Sequence, residues 1–291
     1  MKKTKVMREL LEQPGLIVMP GVSNAFLARI VENAGFPVMY VSGAGMANMN
    51  FCLPDYNFIS MTENLEIVKR INDAVTCPIL CDIDDGYGSY GNVYRTLREY
   101  SKAGIAAVQM EDQKSPKRCG HFEGHQVIPA SQMCGKIKAA RDGSEDDDLV
   151  IVARTDAISA TGSFDEAVER MGMYIEAGAD VVFIEAVRNK EQMEKIPTLF
   201  DKPCLINLVE HGKTPILSNS EYEQMGYKFA LYACQTLKAA AWGVEQFLEY
   251  LKENGTSDGC DNKLMITSEH RHEITDKAYY EDLIKKYESE E

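Results

Sequence analysis

The stretch LVIVARTDAISATGSFDEAVERMGMYIEAGADVVFIEA, residues 149–186, decides the fold. It opens on an aliphatic run, LVIVARTD (149–156), and closes on another, VVFIEA (181–186). Between them FDEAVERMGMYIEAG (164–178) carries apolar residues at helical spacing and ends in glycine. Near-continuous apolar runs, without polar alternation, suit strands buried on both faces of a parallel sheet. A glycine just past a helix and just before a strand is a C-terminal stop. The stretch therefore reads as strand, helix and parallel strand.

Outward from it the same unit repeats. Further apolar runs are LIVMPG (16–21), VMYVSG (38–43), PILCDID (78–84), AVQMED (107–112), CLINLVE (204–210) and KFALYA (228–233). With the first two they make eight candidate strands. The glycine stop recurs in NAGF (33–36), KAGI (102–105) and, close to it, QMGY (224–227). Helical periodicity fills NAFLARIVENAG (24–35) and NVYRTLREYSKAG (92–104). Eight such units predict an α/β fold, a (β/α)8 TIM-type barrel over residues 1–254. An open doubly wound sheet is the alternative, but no G-x-G-x-x-G follows the first strand. A polar break, GTSDGCDN (255–262), leads into a C-terminal helical tail over 255–291, expected to be solvated or packed on a neighbouring subunit.

The 291 residues, 45% hydrophobic and 26% charged, are ordinary for a globular chain able to bury a large core. Eight cysteines show no tight paired spacing, which points to a reducing cytoplasm and no disulfide framework. MKKTKVMRELLEQPG lacks the apolar run of a signal peptide, and no apolar run reaches the roughly 18 residues of a membrane span. A net charge of −14 argues against nucleic acid as a partner. It leaves room for a small anionic substrate, because a few arginines or a bound cation can dominate a local field.

Barrel enzymes carry their chemistry at the C-terminal ends of the strands. Here those ends bear Tyr40 and Ser42, Asp82 and Asp84, Glu111 and Asp112, Arg154 to Asp156, Glu185, and Asn207. Asp82 and Asp84 are two apart, so they point to one side of a strand and repel unless something positive lies between them. With Glu111 they make three carboxylates, a donor set for Mg²⁺ or Mn²⁺. Ser42-Gly43-Ala44 offers backbone N–H groups in a tight turn suited to a carboxylate, and Arg154 can add a bidentate contact. EDQKSPKRCGH (111–121) is open to three readings: a plain loop, a zinc site on Cys119, His121 and His125, or a catalytic thiol. The zinc spacing fits no common pattern. Lys117, Arg118 and His121 around Cys119 favour thiolate, and the flanking glycine allows movement.

These residues carry a resemblance. PGVSNAFLARIVENAGF (20–36), YVSGAG (40–45), LPD (53–55), DIDDGYG (82–88), EDQKSPKRCGH, VARTDA (152–157), GADVVFIEA (178–186) and NLVEHGKTP (207–215) resemble the isocitrate lyase and phosphoenolpyruvate mutase superfamily. The cysteine of K-R-C-G-H is similar to that of its carbon–carbon lyases and related hydrolases. The resemblance implies that Asp82, Asp84, Asp55 and Glu111 form a Mg²⁺ (or Mn²⁺) site, and that Ser42, Gly43, Ala44 and Arg154 hold the substrate carboxylate. It further implies Asn207, Gly120 and Glu185 around the rest of the substrate, Tyr40 near the reacting hydroxyl, His121 as an organiser and Cys119 as the general acid. The implied reaction is retro-aldol cleavage of a 2-hydroxy dicarboxylate. The implied substrate is 2,3-dimethylmalate, giving pyruvate and propionate. 2-Methylisocitrate (pyruvate and succinate) and hydrolysis of oxaloacetate are alternatives. His125 stands where relatives often carry Lys or Arg, which favours the dicarboxylate over a tricarboxylate. A homotetramer with an exchanged C-terminal helix is the implied assembly.

Overall fold

A computed structural model of the chain describes residues 1–115, 117, 124 and 126–288. Eight strands form a closed parallel barrel in sequence order: β1 Ile17–Val22, β2 Met39–Val41, β3 Ile79–Asp82, β4 Ala107–Glu111, β5 Val150–Thr155, β6 Val181–Ile184, β7 Cys204–Asn207 and β8 Phe229–Tyr232. β1 pairs with β8, from Ile17 opposite Phe229 to Pro20 opposite Tyr232, and closes the ring. Each strand coincides with one apolar run of the sequence, so the barrel stands and the open sheet does not.

Before the barrel comes α1 (Lys3–Glu12); α2 (Ala25–Asn33) follows β1, and α3 (Gly43–Phe51) and α4 (Met61–Ala74) follow β2. Then come α5 (Tyr90–Lys102), α6 (Ala130–Gly143), α7 (Ala157–Thr161), α8 (Phe164–Glu176), α9 (Lys190–Leu199), α10 (Asn219–Met225) and α11 (Gln235–Asn254). α12 (Ser268–Ile274) and α13 (Lys277–Glu288) form the tail. Gly35, Gly104, Gly178 and Gly226, the four glycine stops, all have positive φ, the left-handed geometry that ends a helix where a Cβ would be strained.

The core has two layers. Strand residues pointing outward, such as Val41, Cys81, Val108, Ile151 and Val182, pack under the helices. Those pointing inward, including Met19, Tyr40, Leu80, Val152, Phe183 and Leu231, fill the barrel itself. The N-terminal helix α1, which the apolar runs did not reveal, closes the floor. Its Met7 is fully buried in the inner cluster, with Leu10 and Leu11 against it. Burying one such methionine contributes about 1.5–3 kcal/mol. Polar anchors fix the plug: Arg8 donates to Asp180 Oδ1 at 2.7 Å, and Lys228 Nζ to the Gln13 carbonyl at 2.6 Å.

The C-terminal part behaves differently. Thr236, in the first turn of α11, donates to the Gly21 carbonyl, yet no residue of this 20-residue helix is buried. Trp242, Val244 and Leu248 are each more than half exposed. The tail returns to the barrel, where Arg29 of α2 pairs with Asp276 and donates to the Ile274 carbonyl. Among the described residues no helix is long and apolar enough to cross a membrane, and the seven described cysteines are free.

Candidate active site

Strand period places the site. Inward residues alternate along each strand, so Tyr40 is followed by Ser42, Leu80 by Asp82, and Ala107 by Gln109 and Glu111. By the same count Val152 leads to Arg154, Phe183 to Glu185, Leu205 to Asn207 and Leu231 to Ala233. Most of these residues line one cavity of about 90 Å³ at the C-terminal mouth of the barrel. The polar strand ends picked out in the sequence therefore converge.

Lys117 is the unforeseen centre. The sequence reading used it only as a charge beside Cys119, but its ammonium is buried among the acids. Nζ lies 2.9 Å from Asp55 Oδ1 and also pairs with Asp84 Oδ1. Burial works against its charge, but Asp84, Asp55, Glu111 and Asp82 outweigh burial and hold the amine well above its ordinary value. The positive group expected between the paired aspartates is thus, in part, a lysine.

The aspartates do not meet as expected. β3 ends at Asp82, and Asp84 stands beyond it with φ of 51°, so strand alternation does not align them. A turn does: Asp82 Oδ1 accepts the Asp84 N–H at 3.0 Å. A Cβ built on Gly43 would lie 2.7 Å from Asp82 Oδ2 and 3.5 Å from Asp84 Oδ1, so both carboxylates border the same glycine. Burial pushes Asp84 up to about 6, with Lys117 opposing and Asp82 and Asp55 adding to the rise. Glu111 is raised well above the carboxylate range by burial, against Arg154 and Lys117.

Ser42-Gly43-Ala44 is a helix start, where the sequence suggested a tight turn. Ser42 caps α3 by accepting from Gly45 N at 3.2 Å, and Gly43 N–H already donates to Asp82 Oδ2 at 3.3 Å. The N-terminus of α3 thus faces the mouth with its favourable dipole end.

Arg154 is also more committed than expected. Its Nε and Nη2 donate to Asp156 Oδ2 and Oδ1, each at 2.9 Å. Nη1 faces Glu111 Oε2 at 3.2 Å, its partner across β4 and β5, and the guanidinium lies 5.3 Å from the centroid of the Phe183 ring. Only the Nη1 edge is left to meet a substrate carboxylate. Asn207 Nδ2 donates to Glu185 Oε2 at 3.2 Å. Tyr40 OH donates to Gln109 Oε1 at 2.6 Å, and burial, then Asp82, raises the phenol well above its usual range. Gln109, the hold of Asp156 on Arg154 and the burial of Lys117 among the acids are what sequence reasoning missed. Gln109 and Asp156 are legible by period, as the inward neighbours of Glu111 and Arg154. Cys119, Gly120 and His121, with His125, lie outside the described residues.

The residues fit a hard divalent cation. Six acids (Asp55, Asp82, Asp84, Glu111, Asp156 and Glu185) surround two cations, Lys117 and Arg154. Neither oxygen of Glu111 accepts a hydrogen bond among the described residues. The donors are oxygens throughout, as Mg²⁺ prefers. Among the described residues no three acids, histidines or cysteines stand close enough to grip an ion unaided.

Known proteins resemble this chain over most of its length. Residues 7–252 match the family of phosphoenolpyruvate phosphomutase. The chain is 39% identical to 2,3-dimethylmalate lyase of Eubacterium barkeri over 90% of its own length and 91% of that protein's. It is 38% identical to 2-methylisocitrate lyase of Aeropyrum pernix over 91% of this chain and 84% of that one. Among solved structures, oxaloacetate acetylhydrolase bound to 3,3-difluorooxalacetate superposes with a TM-score of 0.91 at 30% identity, covering 97% and 96% of the two chains. Phosphonopyruvate hydrolase in complex with oxalate and Mg²⁺ superposes with a TM-score of 0.88 at 26% identity, covering 99% of each chain.

Proposed function

The chain belongs to the phosphoenolpyruvate mutase and isocitrate lyase superfamily and is a carbon–carbon lyase of that group, and from this we propose that it cleaves 2,3-dimethylmalate to pyruvate and propionate with Mg²⁺ as cofactor. The observation that carries the substrate is the charge balance of the cavity. Its described cations are Arg154 and Lys117, each already faced by acids, and Phe183, Val209 and Leu231 make an apolar wall. A dicarboxylate with methyl substituents suits such a wall.

Asp82 and Asp84, with Asp55 and Glu111 directly or through water, would hold Mg²⁺. Bound there, it supplies the Lewis acidity that lowers the pKa of the substrate's 2-hydroxyl. The Nη1 edge of Arg154 and the N-terminus of α3 receive the carboxylate of the pyruvate half, and Ser42 and Ala44 border it. Tyr40 spends its proton on Gln109, so it orients the hydroxyl oxygen while a carboxylate of the cluster accepts the hydroxyl proton. Loss of that proton forms the ketone of pyruvate as the C2–C3 bond breaks. The bonding pair moves into the departing carboxylate as an enediolate, whose charge Arg154 and Lys117 help to spread. Cys119 then gives its proton to the carbanionic carbon and leaves propionate; Gly120 and His121 would flank this half of the substrate, and Asn207 and Glu185 its opposite wall.

The test is a panel of 2,3-dimethylmalate, 2-methylisocitrate and oxaloacetate with Mg²⁺ and product identification. Pyruvate with propionate as the favoured pair supports the reading. Pyruvate with succinate moves the assignment to methylisocitrate, and oxalate with acetate moves it to hydrolysis. The exposed apolar side of α11 supports assembly with further copies of the chain, as a tetramer.

A further inference from the structure

Asp112 follows the last residue of β4, lies outside the cavity lining and is fully buried. Its Oδ2 accepts from Thr155 Oγ1 and from Tyr174 OH, each at 2.7 Å, and faces Arg170 Nη1 at 3.5 Å. Its Oδ1 accepts the Asp156 backbone N–H at 2.9 Å. Asp156 in turn holds Arg154 by both oxygens. Arg170 Nη1 also donates to the Ile128 carbonyl at 2.8 Å, and Ile128 N–H to the Asp112 carbonyl at 2.9 Å. Burying two carboxylates joined by one N–H is costly, and such a pair persists where its members hold something in place.

We propose that Asp112, braced by Tyr174 and Arg170, is a positioning residue that acts through Asp156 to aim Arg154 into the anion site, an inference that rests on the function proposed above. A two-point fork fixes the plane of a guanidinium, so the direction of the Nη1 edge is set by where Asp156 sits. Asp156 sits where Asp112 holds its amide. A carboxylate suits this task because two oxygens can accept from four donors, whereas an amide turns one acceptor into a donor facing Thr155, Tyr174 and Arg170. Misplacing a charge-stabilising group by about 1 Å costs on the order of a hundredfold in rate.

The test uses the full chain with Mg²⁺ and compares Asp112→Asn in two backgrounds, wild type and Arg154→Lys. The readouts are kcat and KM on the best substrate of the panel, calorimetric affinity for oxalate, and Mg²⁺ affinity. In the wild-type background, Asp112→Asn is expected to lower kcat/KM and oxalate affinity by about tenfold or more while Mg²⁺ affinity moves less than about twofold. In the Arg154→Lys background the same change should cost under about threefold, since residues acting through one another are non-additive. Equal losses in both backgrounds, or no loss in either, overturn the proposal. Should Asp112→Asn fail to fold, Tyr174→Phe removes one brace and carries the same comparison. A wild-type protein that binds no oxalate with Mg²⁺ overturns the anion site itself and this proposal with it. Wild-type binding with an unaltered Asp112→Asn protein overturns the positioning role alone.

Discussion

Lys117 is the residue on which the electrostatics of the barrel mouth turn. Replacing it with methionine leaves Asp55 and Asp84 without the cation they share, and breaking such a buried pair is expected to destabilise the fold by about 3 kcal/mol. Urea unfolding measures this directly; an unchanged midpoint would show that the acids find other partners. Gly43 is constrained for another reason, since its missing Cβ leaves room for Asp82. Gly43→Ala should push that carboxylate aside and weaken Mg²⁺ by about tenfold, a loss comparable to that of disturbing groups around a metal site. Titration calorimetry reads it. Cys119→Ser should keep the fold and the Mg²⁺ affinity while kcat drops by roughly 10²- to 10⁴-fold, the usual worth of a general acid; wild-type turnover would remove the thiol from the reaction. Much of this site was legible in residue types at strand ends. Lys117 was not, because it comes from a connecting segment whose path no period predicts. Asp84 does lie beside Asp82, but a left-handed turn brings it there, where strand alternation was expected to do so.

Among the elements, the strands were the most legible, because near-continuous aliphatic runs suit strands buried on both faces of a parallel sheet, and eight of them separated by glycine-stopped helices suit a barrel. The inward period then carries the reader from Ala107 to Glu111 and from Val152 to Arg154 without any motif. Helix α1 escaped notice because ten residues with a mixed polar pattern look like any surface helix; only the open barrel floor gives it a place. The end of α2 makes a prediction of its own. Glu32 Oε1 accepts from Thr76 N, Thr76 Oγ1 and Cys77 N at 2.6, 2.7 and 3.0 Å. Burial works to raise this carboxyl, but the Thr76 and Cys77 donors prevail and hold it below its ordinary value. A carboxyl with a depressed folded pKa contributes stability above its unfolded value and loses it as pH falls through the folded one. Glu32→Gln should therefore be less stable than wild type at neutral pH, and the gap should close as the pH drops below the normal carboxylate range. Denaturation midpoints from pH ~7 to ~3 test this; a gap that stays constant would mean that charge plays no part.

At the scale of the molecule, α11 leaves the barrel with its apolar side uncovered, and a second copy of the chain is the occupant proposed for it. Light scattering should then give a mass near four chains. Trp242→Glu should shift it toward the single chain, since a charge placed in an apolar interface costs several kcal/mol. Trp242 is the one tryptophan in the sequence, so its emission should move to the blue on assembly. Neither the uncovered helix nor the way the tail folds back onto Arg29 was legible, because surface pattern alone does not say what will cover it. The sealed barrel floor has a kinetic consequence. With Met7 and its neighbours corking the far end, both cleavage products must leave by the doorway through which the substrate came. The fragment bound deeper then has to wait for the shallower one, so departure becomes a queue. For the cleavage of 2,3-dimethylmalate proposed above, inhibition by added pyruvate should be competitive and that by propionate noncompetitive, or the reverse, according to which of them stands last in line.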